Sequence, residues 1–123
     1  MGDYEKLNVW KKSHALTCDV YRLTAILPVR HHWPLGDQLR RAALSIGTNI
    51  VEGCGRNHPG HFRNSLTISL DEANELHYLF LVARDVEAIE HTVANRMRTR
   101  ADEIRRMCSG LLESVRQRGR PGK

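Results

Sequence analysis

Apolar residues recur along the chain at alternating intervals of three and four, which is the spacing of one face of an α-helix. The clearest series lies in the middle of the chain and consists of Phe62, Leu66, Ser69, Ala73, Leu76, Phe80 and Ala83. Similar series occur near both termini and in the second quarter of the chain. No stretch shows the strict alternation of apolar and polar residues that is typical of a β-strand. The pattern therefore predicts an all-α protein.

Four segments carry this helical pattern, with the predicted helices spanning residues 5–27, 35–53, 59–89 and 92–116. Residues 29–33, between two prolines, are expected to form a loop. Thr92 is expected to cap the last helix, although neither Gly nor Pro marks that boundary. Short connections place consecutive helices side by side in opposite directions. We therefore expect an up-and-down antiparallel four-helix bundle in one domain, residues 1–116, followed by a flexible basic tail at 117–123.

The second predicted helix carries more apolar surface than the core of one bundle covers. Leu44 and Val51, seven residues apart, form a ridge that is separate from the main apolar stripe, and Gly47 lies between the two. A neighbouring subunit would cover the ridge, and Gly47 would let that subunit approach closely. We therefore expect a homo-oligomer with these three residues at its interface. The alternative is a monomer in which the ridge and the main stripe together form one wide apolar face that is buried in its own core.

Positive charge is concentrated in the last quarter of the chain. Residues 96–123 contain nine Arg and Lys and three acidic residues, whereas residues 1–95 contain ten and eleven. On the fourth predicted helix, Arg98, Arg105 and Arg116 project to one side. This distribution favours an anionic partner, and structured RNA or DNA is the candidate. A solvated arginine-rich helix face is the alternative.

Further arginines extend the candidate nucleic-acid surface, while Asp102 interrupts the stripe on the fourth helix. The additional candidates for nucleic-acid binding are Arg40, Arg41, Arg56, Arg118 and Arg120. Arg41 follows Asp37 by four residues, so an ion pair on the helix surface is the alternative role for it. The aromatic residues lie elsewhere, and the sequence has no RRM, KH or zinc-finger signature. We therefore expect recognition of backbone shape and charge rather than of bases.

Motifs for catalysis and metal binding do not occur in the sequence. It has no P-loop, dinucleotide-binding fingerprint, nucleophile elbow or His-Glu-x-x-His motif. No Glu stands three residues before His77 or His91, as a di-iron bundle requires. We therefore expect a non-catalytic protein without a metal ion, a cofactor or a small-molecule substrate.

The three cysteines are far apart and form no Cys-x-x-Cys pair. Together with the absence of a secretory signal and of a membrane-spanning apolar run, this predicts a cytoplasmic protein with reduced thiols and no membrane association. Cys54 lies between two glycines and is expected to be the accessible thiol. Cys18 and Cys108 are expected to be buried on helices.

The segment from Gln38 to Arg56 reads QLRRAALSIGTNIVEGCGR. It closely resembles QLRRAA-x-SI-x-x-NIAEG-x-x-R, the signature of a family of bacterial four-helix-bundle proteins encoded in intervening sequences of 23S ribosomal RNA genes. Leu7, Val9 and Trp10 resemble the family's L-x-V-W opening. The resemblance covers about residues 7–116.

The resemblance implies a four-helix bundle that assembles as a cyclic homo-oligomer, with a pentamer as the favoured form. It also implies a bacterial, cytoplasmic protein. It implies no established activity, and ribosomal RNA is a suggested partner only because of gene position. A protein–protein scaffold or adaptor with no nucleic-acid role is the alternative function.

Overall fold

The computed structural model describes residues 3–55 and 58–118, and four long helices account for most of them. These helices are α1 (Asn8–Ala25), α2 (Asp37–Cys54), α3 (Pro59–Asp85) and α4 (His91–Arg118). A short 3₁₀ turn, Tyr4–Lys6, precedes α1. The described ranges contain no β-strand. The predicted all-α fold with four helices is confirmed.

Each helix packs against the next one along the chain, and α4 returns to lie beside α1. Lys12 pairs with Glu103 at 3.2 Å, and Asp19 pairs with Arg100 at 2.8 Å. Residue numbers therefore rise along α1 as they fall along α4, so the two helices are antiparallel. This order makes α2 and α4 diagonal to each other in the bundle.

The apolar stripes of the four helices meet in one core, in which the predicted α3 series from Phe62 to Ala83 is buried throughout. Two hydroxyl groups in this core donate hydrogen bonds to helix carbonyl oxygens. Ser13 Oγ donates to the Val9 oxygen at 2.7 Å, and Ser69 Oγ donates to the Ile46 oxygen at 2.9 Å. The second bond crosses from α3 to α2, so it satisfies a buried polar group and aligns the two helices.

Residues 29–36 are helical, which corrects the loop predicted at 29–33. A single α-helical turn is followed by a π-helical turn that leads directly into α2. Pro34 lies in the π-helical turn, and its missing N–H group removes a bond that a regular α-helix would need. The ring nitrogen Nε2 of His32 lies 2.7 Å from the Leu27 carbonyl oxygen and ties this turn to the end of α1.

The boundary between α3 and α4 also differs from the prediction. α3 ends at Asp85, four residues early, and α4 begins at His91, one residue early. The chain reverses at Glu87, whose φ of 61° is in the left-handed region. The Ala88 N–H donates to the Ala83 oxygen at 2.9 Å, which is the pattern of a Schellman cap. Glycine usually occupies the left-handed position of such a cap, so a glutamate there gave no signal in the sequence.

At its other end α4 is longer than predicted. Gln117 and Arg118, assigned to the tail from sequence, belong to the helix. The remaining predicted tail, residues 119–123, lies outside the described residues. None of the described helices is long and apolar enough to cross a membrane.

Candidate nucleic-acid interface

Arg98 lies where α4 packs against α3, and its side chain is half-buried. Its Nε atom donates a hydrogen bond to the carbonyl oxygen of His77 at 3.2 Å. Its Nη2 atom lies 3.5 Å from Nδ1 of the same histidine. Neither partner atom belongs to a carboxylate, so these contacts hold the guanidinium group in place without neutralising its charge.

One turn further along α4, a single carboxylate accepts hydrogen bonds from two arginines. Arg105 donates from Nε and Nη2 to Oδ1 of Asp102 at 3.0 and 2.9 Å, and Arg106 donates from Nε to Oδ2 at 2.9 Å. The hydrogen bonds from Arg105, and then those from Arg106, lower the pKa of Asp102. Two guanidinium groups therefore share one negative charge. We call Arg98, Arg105 and Arg106 the α4 patch.

The ionisation of His77 reflects the charge of this patch. Burial lowers the pKa of His77, and the positive charges of Arg98 and Arg105 lower it further, whereas Asp102 opposes them. A neutral imidazole is therefore favoured next to the patch. Its neutrality leaves the guanidinium groups as the main source of positive charge at this position.

The rest of the predicted arginine stripe is separate from the patch. Arg116 lies about 16 Å beyond Arg105 along the axis of α4. It is exposed and pairs loosely with Glu113 at 3.7 Å. Of Arg118 only the backbone is described, and Arg120 lies outside the described residues. The structure thus brings together Arg98 and Arg105 and adds Arg106, which sequence reasoning had not selected.

The arginine candidates of α2 have other contacts. Arg41 pairs with Asp37 at 3.0 Å on the exposed surface, which is the ion pair considered as its alternative role. Arg40 is half-buried, and its guanidinium group lies next to Gly36. A Cβ atom added at Gly36 would be only 3.1 Å from Nη1 of Arg40. Arg56 lies outside the described residues. Because α2 is diagonal to α4, the described arginines of α2 do not join the α4 patch.

A shallow surface groove adjoins the patch on α4. Its volume is about 410 Å³, and its lining residues are Thr99, Arg100, Glu103, Arg106 and Met107. Arg106 belongs both to this groove and to the cluster around Asp102. The patch therefore borders a surface concavity.

Comparison with known proteins identifies the family of this bundle. The chain matches the family model described as "23S rRNA-intervening sequence protein" over residues 5–110. The chain belongs to this family. The resemblance noted in the QLRRAA segment is confirmed.

A solved structure has the same fold as this member of the 23S rRNA-intervening sequence protein family. It is the crystal structure of a protein with unknown function from the S23 ribosomal protein family of Bacteroides thetaiotaomicron, with a TM-score of 0.80 and 25% sequence identity. The similarity covers 85% of this chain and 95% of that chain. The search of curated proteins finds no match.

The interface residues predicted for this family member differ in exposure. Leu44 is 50% exposed and Val51 is half-buried. Gly47, by contrast, is buried, and a Cβ atom added there would meet Nε1 of Trp10 at an ordinary distance of 3.9 Å. Gly47 therefore faces α1 of its own chain, which corrects its assignment to a subunit interface.

The exposure of Cys18 and Cys54 in this family member is the reverse of the prediction, whereas Cys108 is buried as predicted. Cys54 is buried because it continues the inward stripe of α2, four residues after Ile50. Cys18, predicted to be buried, is half-exposed on α1. Burial raises the pKa of Cys54, and it raises the pKa of Cys108 to about 11.

Sequence reasoning also missed three exposed apolar side chains in the segment where α1 joins α2. Ile26, Val29 and Trp33 are exposed by 79, 83 and 81%, respectively. Their spacing of three and four residues was a helical signal, but the intervening proline led to the prediction of a loop. Exposed aromatic and aliphatic side chains of this kind are common at contact surfaces.

Proposed function

We propose that this family member is a non-catalytic cytoplasmic protein that binds structured nucleic acid, ribosomal RNA or another, through the α4 patch. The observation that supports the proposal is the arrangement of charge around Asp102. Arg105 and Arg106 share its one negative charge there, and Arg98 is held by a carbonyl group, so the three guanidinium groups keep a net charge of about two. Phosphate groups of a nucleic-acid backbone are attracted to such a surface and release counterions when they bind.

The contacts that hold the patch favour binding to phosphate. Asp102 holds Arg105 and Arg106, while the carbonyl group of His77 holds Arg98. Side chains that are already ordered lose less conformational entropy when a ligand binds. The planar guanidinium group also presents several N–H donors that match phosphate oxygens. Recognition of backbone shape and charge follows from this chemistry.

Replacing Arg98, Arg105 and Arg106 together by glutamine tests the proposal. We expect a labelled structured RNA, such as a fragment of 23S ribosomal RNA, to bind at least about tenfold more weakly in fluorescence anisotropy. The slope of log affinity against log salt concentration should become shallower by about 3. Each of the three lost phosphate contacts lowers the steepness of this slope by about 1. Circular dichroism and light scattering check that helicity and mass are unchanged.

A matched control removes three exposed arginines from the other helices, Arg22, Arg41 and Arg63. This triple glutamine variant has the same net charge as the patch variant. We expect it to retain a salt slope close to that of the parent protein. A parent-like slope in the patch variant would refute the proposed site, and equal losses in the two variants would show that only net charge matters.

We further propose that the chain assembles as a cyclic homo-oligomer, with the pentamer favoured by the family resemblance, through the ridge of Leu44 and Val51. Leu44→Glu would place a charge on this ridge, so we expect a helical monomer by light scattering and circular dichroism. Val86→Glu is the matched control, because Val86 is 51% exposed and Leu44 is 50% exposed. An unchanged mass for Leu44→Glu would contradict the proposed interface.

A scaffold or adaptor role without nucleic acid is the second candidate function. It is favoured by the exposed side chains of Ile26, Val29 and Trp33, which suit an apolar protein partner. Salt weakens binding to acidic proteins as well as to nucleic acids, so salt dependence alone does not separate the two functions. Competition by unlabelled RNA and DNA, together with the ultraviolet absorbance of the purified protein, distinguishes them.

A further inference from the structure

His14 and Cys18 form a pair of side chains on the outer surface of α1, one helical turn apart. The sulfur atom of Cys18 lies 3.7 Å from Nε2 of His14. His14 is exposed and Cys18 is half-buried, whereas Cys54 and Cys108 are both buried. The pair therefore combines the most accessible thiol of the chain with an accessible imidazole, and neither side chain belongs to the α4 patch.

Two aromatic residues hold the ring of His14 in position. The ring of Trp10 stacks on it, with centroids 4.9 Å apart and an angle of 8° between the planes. Tyr4 packs edge-on against Trp10 at 5.1 Å. This stack maintains an imidazole orientation in which Nε2 is close to the sulfur. A ring that is already oriented loses less conformational entropy when it binds a ligand.

The separation of the two atoms fits a chelate around a tetrahedral metal ion. Zinc binds a cysteine sulfur at about 2.3 Å and a histidine nitrogen at about 2.0–2.1 Å. At a tetrahedral angle, these bond lengths place the two donor atoms about 3.6 Å apart. The observed 3.7 Å agrees with this value within the tolerance expected of metal sites. A zinc ion could therefore bind both side chains without movement of the helix.

We propose that His14 and Cys18 bind a borderline transition-metal ion, with zinc as the natural candidate. A thiolate and an imidazole select such ions over magnesium and calcium, which prefer oxygen ligands. Residues 3–55 and 58–118 contain no group of three or more His, Cys, Asp and Glu side chains suited to a metal ion. The described part of the chain thus supplies two ligands, and water takes the other two positions. Binding displaces the thiol proton, which passes to the solvent.

Cobalt(II) is the probe for this site because it occupies zinc sites and absorbs light when it is bound to sulfur. In titrations of the reduced full chain, we expect a sulfur-to-cobalt charge-transfer band that saturates at one ion per chain. Zinc should abolish the band, whereas magnesium should leave it unchanged. Cys18→Ser should remove the band, and His14→Ala should weaken cobalt binding at least about tenfold.

A spacing control separates the pair from a general effect of histidine. Lys11→His combined with His14→Ala keeps the number of histidines but places the imidazole about 10 Å from Cys18 along the helix. We expect this variant to bind cobalt as weakly as His14→Ala, with the circular dichroism of the parent protein. The proposal is overturned if the parent shows no band, if the band survives Cys18→Ser, or if the displaced histidine restores binding.

Discussion

Replacing Gly53 by alanine is expected to lower the free energy of unfolding by about 2 kcal/mol, because α2 and α3 leave no room for a methyl group there. An added Cβ atom would lie 2.7 Å from Cβ of Ser65 and 3.1 Å from Cδ1 of Phe62. Real Cβ atoms essentially never come within 2.7 Å of another carbon atom, so the two helices would have to separate. Urea denaturation followed by circular dichroism measures the change.

Two other helical glycines are matched controls for this prediction. A Cβ atom at Gly47 would meet nothing closer than 3.9 Å, and one at Gly110 would meet nothing within 4 Å. Alanine at either position should raise the free energy of unfolding by about 1 kcal/mol, because alanine favours the helix. Ser65→Gly should reduce the cost of Gly53→Ala in the double variant. If Gly53→Ala is as stabilising as the controls, the close contact of α2 and α3 does not exist.

Raising the pH from about 8 to about 11 is expected to destabilise the parent protein by about 2 kcal/mol more than its Cys108→Ala variant. Cys108 is fully buried, and burial raises the pKa of its thiol from 9.0 to about 11. Between these two values the unfolded chain loses the thiol proton while the folded chain keeps it. Stability from this group is therefore complete below pH 9 and is lost as the pH rises towards 11.

The Cys108→Ala variant separates the contribution of this thiol to the pH dependence of stability from the contributions of lysines and tyrosines, which titrate over the same pH range. The variant loses some packing at every pH, but that loss cancels when only the change with pH is compared. Urea denaturation at a series of pH values provides the measurement. Parallel pH profiles for the two proteins would show that Cys108 does not ionise on unfolding in this range.

The helices and their inward faces were predictable because apolar spacing is a local property. The series on α3 and the inward stripe of α2 kept their interval of three and four, and the structure buries both. The QLRRAA segment added the family, since a long specific motif needs no knowledge of tertiary contacts. Two predictions failed. The boundary at the left-handed Glu87 lacks the usual glycine, and the π-helical turn contains Pro34, which indicated a loop.

The candidate site was predictable only in part. Helical spacing placed Arg98 and Arg105 on one side of α4, but it did not reveal that Arg106 shares Asp102 with Arg105. It also did not indicate that Arg98 contacts a carbonyl group of α3, because the partner residue, His77, is 21 positions away. The charge that remains on this surface depends on these partners.

The sequence by itself determined the all-α class, the four helices, the family and the concentration of positive charge near the carboxyl terminus. These follow from residue order and composition, which need no contacts between distant segments. The tertiary structure decided that Arg98 contacts the carbonyl group of His77, that Gly47 faces Trp10, and that Cys18 rather than Cys54 is accessible. Each of these depends on how one helix is rotated against its neighbour, and that rotation is set by packing across the whole core.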